Sequence, residues 1–407
     1  MAEPITRAIT PFDPSDTALY TEHRWHAPFA ALRNAAPVSY RPQSPYGPYW
    51  SVVTHDMVQE VEGQPDLYSS SSTLGGITIS NSEGDNEFPN FIALDRPRHT
   101  EQRRVAQPAF NPSEMVRREA VIRARTKELF NALPIGEPFN WVEHVSIPLT
   151  IGMLCILFDF PWEERADLKH WSDVASEVTP DQSPERQAKF YDAMFAMLAR
   201  FDMLLEARRI QPPTDDLLSR MIHSESMGNM PPLERLANIA LLIVGGNDTT
   251  RNSMSGFIEA CNLWPEQLDR LRADRAMIPN AAQEIIRWQS PVTHMRRTAT
   301  ADAVLGGQPI AKGDKVILWY ISANRDEALF DDPDRFDVAR TNARRHIGFG
   351  YGIHRCVGAR LAEMQLAILI EEIVDRNINI TQTGQPARLA SPFLHGFTDL
   401  PVVITPR

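Results

Sequence analysis

Phe349-Gly350-Tyr351-Gly352-Ile353-His354-Arg355-Cys356-Val357-Gly358 sets one cysteine among three glycines. Glycines at 350, 352 and 358 let backbone pass close to a flat partner and take up turns that other residues avoid. A helical pattern, Ala359-Arg360-Leu361-Ala362-Glu363-Met364-Gln365, follows at once. Cys356 therefore stands just ahead of a helix N-terminus, where the dipole and free amide groups stabilise a thiolate. A lone cysteine in a glycine-rich turn is ordinarily buried and inert. Here Phe, three Gly, His and Cys agree on one arrangement, and that agreement points to a ligating thiolate.

Around this stretch the chain is an ordinary globular one. Its 407 residues can bury a large core, and 43% hydrophobic with 23% charged residues is typical of a folded domain. A net charge of -11 argues against a general nucleic-acid binder, which needs a basic face. Cys155, Cys261 and Cys356 are odd in number and far apart, which fits a reducing cytoplasm rather than a disulfide framework. Met1-Ala2-Glu3-Pro4 shows neither a basic nor an apolar leader region. The apolar run 239–244 near the chain middle is far short of the ~20 residues that span a bilayer. A cytoplasmic protein without an integral membrane segment is expected.

Short strands and helices are expected over about 1–90, including the alternating run at 49–53, and a long loop over 75–85. Helices are expected over 113–133 and 183–208, and a long one over 233–264 with Pro231, Pro232 and Pro265 at its edges. Val316-Ile317-Leu318-Trp319-Tyr320 reads as a strand. No internal repeat or low-complexity linker interrupts the chain. The expectation is one mainly α domain over 1–407 with small β-sheets.

A thiolate is what a haem iron needs as axial ligand when O–O cleavage is the task. The segment 349–358 resembles the haem-binding loop of the cytochrome P450 superfamily, Phe-Gly-x-Gly-x-His-x-Cys-x-Gly, at every specified position. The resemblance implies the single-domain fold of that superfamily. It also implies haem b ligated by Cys356, with Phe349, Gly350 and Gly358 around it.

A second constellation is Gly245-Gly246-Asn247-Asp248-Thr249-Thr250, inside the long helix. Gly245 and Gly246 leave one face bare for a large planar group. Asp248 and Thr249 put an acid and a hydroxyl mid-helix, and a Thr hydroxyl there can bond the carbonyl four residues back. The stretch is similar to the superfamily's oxygen-activating helix, which implies that Asp248 and Thr249 serve proton delivery.

Glu284-Ile285-Ile286-Arg287 puts an acid and a base on one helical face. By resemblance the pair is structural, its arginine meeting a meander that contains Asp334-Arg335-Phe336. Burying the two haem carboxylates requires cationic and hydrogen-bonding partners. The resemblance implies Arg103, Arg297 and His354, with His99 beside them.

The chain is similar almost end to end to the soluble bacterial terminal alkane hydroxylases. Gly75-Gly76-Ile77-Thr78-Ile79, Leu157-Phe158-Asp159-Phe160-Pro161-Trp162, 241–254, 285–291 and Ser391-Pro392-Phe393 carry the likeness. Phe257 departs from it, standing where a glycine is expected after Gly256. The implied reaction inserts one oxygen atom of O2 into the end carbon of a medium-chain n-alkane. Omega-hydroxylation of fatty acids and hydroxylation of a terpene are alternatives, and a haem-binding protein without turnover is one of another class. A peroxide-fed enzyme of the same fold usually lacks the Asp-Thr pair. Leu74, Phe88, Leu242, Val292, Met295 and Phe393 are the implied pocket walls.

No Rossmann or Walker pattern and no flavin domain is present, so electrons must come from outside. The resemblance implies a two-iron two-sulfur ferredoxin and its flavin-dependent reductase. Arg103, Arg104, Arg344, Arg345, Arg355 and Arg360 are candidates for the basic docking patch.

Overall fold

The structure, a computed structural model, describes residues 7–80, 89–181 and 183–407. Its helical side is built around seven helices that matter for the site. They are α1 (His55–Glu62), α2 (Arg98–Ala106), α3 (Ile147–Phe158), α4 (Arg165–Ala175), α5 (Pro232–Leu263), α6 (Ile278–Gln289) and α7 (Ala359–Asp375). The expected helices at 113–133 and 183–208 are present as Pro112–Asn131 and Pro184–Arg209.

The central element is α5, 32 residues and about 48 Å long. Pro232 occupies its first turn, where a missing N–H costs nothing. It ends at Leu263 because Trp264 precedes Pro265, whose ring pushes the preceding residue out of helical geometry (φ −131°, ψ 78°). Its two ends lie in different cores. Leu236, Ile239, Leu242 and Ile243 pack with Leu154, Leu157 and Phe158 of α3 and Phe201. Met254, Phe257, Ile258 and Cys261 pack with Ile285 of α6 and Leu366, Leu369 and Ile370 of α7. Each such aliphatic side chain removed from water stabilises the fold by roughly 1.5–3 kcal/mol. The middle of α5, with its paired glycines, is thus gripped at both ends.

A five-stranded sheet closes the other side. It comprises β1 (Val38–Arg41), β2 (Tyr49–Val52), β3 (Tyr68–Ser69), β4 (Met295–Ala299) and β5 (Lys315–Leu318), in the order β1-β2-β5-β4-β3. The β2/β5 pair is parallel, with Trp50 beside Val316, and the others are antiparallel. Every residue of β2 and β5 is buried; most are apolar, and the Lys315 ammonium donates to the carbonyls of Tyr46 and Ile79. Smaller sheets lie elsewhere, among them Pro138–Asn140, Ile378–Gln382 and Pro401–Pro406.

β5 stops two residues before the expected 316–320 run ends. Ala323 N–H donates to the Trp319 carbonyl, and Tyr320–Ala323 turns into a short helix. Local hydrogen bonding outweighs the strand preference of Trp319 and Tyr320.

The Glu284–Arg287 pair is fully buried, at 2.7 Å. Arg287 also donates to the carbonyls of Asn324, Pro333 and Arg335 at 2.8–3.1 Å, which ties the expected meander to α6. Arg340 and the Asp337 amide complete the shell of Glu284. Phe257 stands edge-on to Phe336 of that meander, with centroids 6.1 Å apart, so its departure from glycine fills core space.

Candidate active site

The cysteine loop runs between the five-stranded sheet and α7. Gly350 and Gly352 hold φ of 68° and 67°, in the left-handed region that favours glycine. A Cβ on Gly352 would stand 2.5 Å from the Glu62 carbonyl oxygen, so no side chain fits there. The Cys356 amide donates to the Phe349 carbonyl at 2.8 Å and closes the loop. Burial pushes the Cys356 thiol above its ordinary value, against the Gly358 N–H and the charges of Arg103 and Arg355. The expected donors at the helix start are present, but desolvation outweighs them. An iron cation held there would supply the missing term, since a coordinating thiol is deprotonated outright. Cys155 and Cys261 lie in the two cores, and burial raises both thiols, Cys155 to about 11.

Cys356 looks across a cavity at the middle of α5. Gly245 has open space where its Cβ would be. Gly246 differs, since a Cβ there would come within 2.8 Å of Leu154. Space over the cavity is therefore kept by Gly245, while Gly246 mainly allows α3 to approach. Thr249 is on the cavity wall and its hydroxyl donates to the Gly245 carbonyl at 3.0 Å. Asp248 faces the other way, towards α4. Its carboxylate pairs with Arg251 at 2.5 Å and accepts from Ser172 at 3.1 Å. Burial raises its pKa to about 6, against the pull of Arg251. Arg251 in turn meets Asp173 at 3.1 Å, whose side chain is 38% exposed, so the acid has a polar route outwards.

One edge of the cavity is polar. His99 and His354 are 2% and 8% exposed, with ring centroids 4.3 Å apart. All four of their ring nitrogens are buried without a partner. Burial and nearby cations hold them neutral, with pKa values of about 4 and about 2. Arg103 and Arg297 line the same cavity. Arg103 donates to the Arg355 carbonyl at 2.5 Å, and Arg297 pairs with Glu62 at 2.9 Å. Orphaned buried nitrogens are rare in folded proteins. Set beside two guanidinium groups, they form a receptor for anionic oxygens, which is the chemistry of the two haem propionates. Thiolate, bare helix face and carboxylate receptor together fit haem.

Of the expected walls, Leu242, Val292, Met295 and Phe393 line the cavity. Leu74 does not. Its carbonyl is drawn inward by Arg296 and Thr298, and its side chain is 43% exposed. Phe88 lies outside the described residues. Sequence reasoning missed Phe91, Leu154 and Leu394 on the wall, since single apolar residues carry no signal beyond core. It also missed Glu62, whose only sequence signal is an acid at the end of a helix, where the dipole disfavours it.

Fold and site define a haem-thiolate oxygenase. A family model described as Cytochrome P450 matches residues 150–388. Linalool 8-monooxygenase of Pseudomonas putida is 39% identical over 403 residues, covering 96% of this chain and 98% of that protein. A methyl-branched lipid omega-hydroxylase of Mycobacterium bovis is 36% identical, with 92% and 90% covered. The solved structure of cytochrome P450-153 from Novosphingobium aromaticivorans superposes with a TM-score of 0.92 at 50% identity, covering 96% of this chain and 99% of that one. This chain belongs to the cytochrome P450 family. It is a monooxygenase that uses haem b on a cysteine thiolate and draws electrons from redox partners. Among the described residues, no helix is long and apolar enough to cross a membrane.

Proposed function

We propose that this enzyme hydroxylates the end carbon of medium-chain n-alkanes. The observation that carries the reading is where charge falls on the cavity wall. Among the described lining residues, the basic side chains are Arg103 and Arg297 with the neutral His99 and His354, all assigned to the propionate edge. Phe91, Leu241, Leu242, Val292, Phe393 and Leu394 make the rest of the wall largely apolar. A fatty acid would need a cation away from that edge for its carboxylate, and a buried unpaired carboxylate is costly. An alkane needs none.

Regioselectivity follows from shape. The terminal C–H bond is the strongest in the chain, so attack there needs the chain held end-on. The omega position named for the methyl-branched lipid hydroxylase supports a wall of this kind, as does the resemblance to terminal alkane hydroxylases.

Haem bound here would supply oxygen activation, with the Cys356 sulfur holding its iron. His99, Arg103, Arg297 and His354 would hold its carboxylates, while Phe349, Gly350, Gly358, Gly245 and Gly246 would border it. Thr249 sets a hydroxyl on the cavity wall, with its proton given to the Gly245 carbonyl and its oxygen able to accept. Asp248 stands behind it with a pKa near working pH, as a proton donor should. The electron donor is a two-iron two-sulfur ferredoxin with its flavin-dependent reductase.

A spectral titration of the haem protein with octane, dodecanoic acid and a compact terpene tests the substrate. A low-to-high-spin Soret shift strongest with octane, followed by 1-octanol as product, is expected. A strong shift with dodecanoic acid alone overturns the alkane reading in favour of a fatty-acid hydroxylase. A strong shift with the terpene alone moves it to a terpene hydroxylase.

A further inference from the structure

Glu62 ends α1, far from the cysteine loop in sequence, yet its carboxylate is buried against that loop. One oxygen accepts from Arg297 at 2.9 Å and from the Tyr320 hydroxyl. The other accepts from the Tyr351 amide at 2.7 Å. Gly350 comes within 3.7–3.8 Å of both oxygens at the position of a Cβ, and Gly352 abuts the Glu62 carbonyl. Two parts of the cofactor site, the propionate arginine and the turn before the thiolate, are thus fastened to one acid.

The location is unfavourable for an acid on two counts. The C-terminal end of a helix repels negative charge. Burial of the side chain, only 1% exposed, penalises it again. Burial dominates and pushes the Glu62 carboxyl above its ordinary value, while Arg297, the Tyr320 hydroxyl and the Tyr351 amide pull towards the ionised form. Arg297 therefore reaches the cavity as part of an ion pair, with most of its charge already balanced.

We propose that Glu62 is a positioning residue that orients Arg297 and, through its negative charge, lowers the reduction potential of the haem. Reduction adds an electron to the cofactor. A fixed negative charge in a region of low dielectric raises the energy of the electron-rich state more than that of the oxidised one. Arg297 alone would act in the opposite sense. The inference rests on the haem site and is independent of the substrate.

Glu62→Gln keeps the shape of the side chain and removes its charge. Spectroelectrochemical titration of the purified haem protein is expected to give a potential shifted upward, with the ferrous-CO spectrum of the intact thiolate retained. Tyr320→Phe leaves the carboxylate and removes one of its donors, so at a pH high enough to keep Glu62 ionised the potential is expected to move downward. These opposite signs separate the charge effect from general loosening, which would move both variants alike. Where Glu62→Gln fails to retain haem, Tyr320→Phe decides alone. An unchanged potential in either variant that retains haem, or a shift against the stated sign, overturns the proposal.

Discussion

Replacing Cys356 by alanine removes the sulfur without disturbing Gly350 and Gly352, which hold the loop's shape. The variant is expected to fold and to lose the thiolate signature of the ferrous-CO spectrum; retention of that signature would assign the ligand elsewhere. Asp248 makes a different kind of prediction. Its folded value of about 6 lies above the ordinary carboxylate value, so its proton is held below about pH 6 and released above it. Product formation that depends on that proton should fall as pH rises through this range. Asp248→Asn should lower turnover about 100-fold and abolish the inflection, as a pH–rate profile would show. The two glycines separate cleanly. Gly245→Phe is expected to fill open cavity and weaken the octane-induced spin shift, leaving stability nearly unchanged. Gly246→Phe drives into Leu154 and is expected to cost about 1–3 kcal/mol by thermal unfolding. At this scale the sequence is legible where chemistry is concentrated in a motif. Cys356, Thr249 and His354 announce themselves, and all three line one cavity. Leu74 and Glu62 do not, because the carbonyl contacts of one and the distant partners of the other depend on tertiary packing.

Among the elements, α6 carries the firmest expectation. Glu284 and Arg287 are wholly buried, and each serves several partners from the meander. Arg287→Ala leaves the buried Glu284 carboxylate with Arg340 and the Asp337 amide, and takes their donor from the Asn324 and Pro333 carbonyls. A loss of about 3–5 kcal/mol in denaturant unfolding is expected, with weakened haem retention. A loss below 1 kcal/mol would mean the pair is dispensable. Helices were readable from periodicity and from proline at their edges, as α5 shows between Pro232 and Pro265. The end of β5 was not, since Tyr320 turns helical through backbone bonds that no side-chain pattern records.

Across the whole molecule, net charge is -11, yet Arg104, Arg344, Arg345, Arg355 and Arg360 are all exposed, and we propose them as one basic docking face. An acidic electron donor would be steered to that face, so its reduction rate should fall as ionic strength rises. Arg344→Glu combined with Arg345→Glu should reduce the second-order rate about tenfold at low salt, read by stopped-flow with ferredoxin. A rate indifferent to salt and to both substitutions would place docking elsewhere.

The sheet that closes the fold also sets an order of birth. β2 pairs side by side with β5, Trp50 against Val316, across most of the chain. A ribosome adding about 5–20 residues per second leaves Trp50 and Val52 without that neighbour for roughly 13 to 53 s. During that interval the Tyr49–Val52 edge lacks the strand that covers it in the finished fold, and it gains that cover only when the last quarter of the chain arrives.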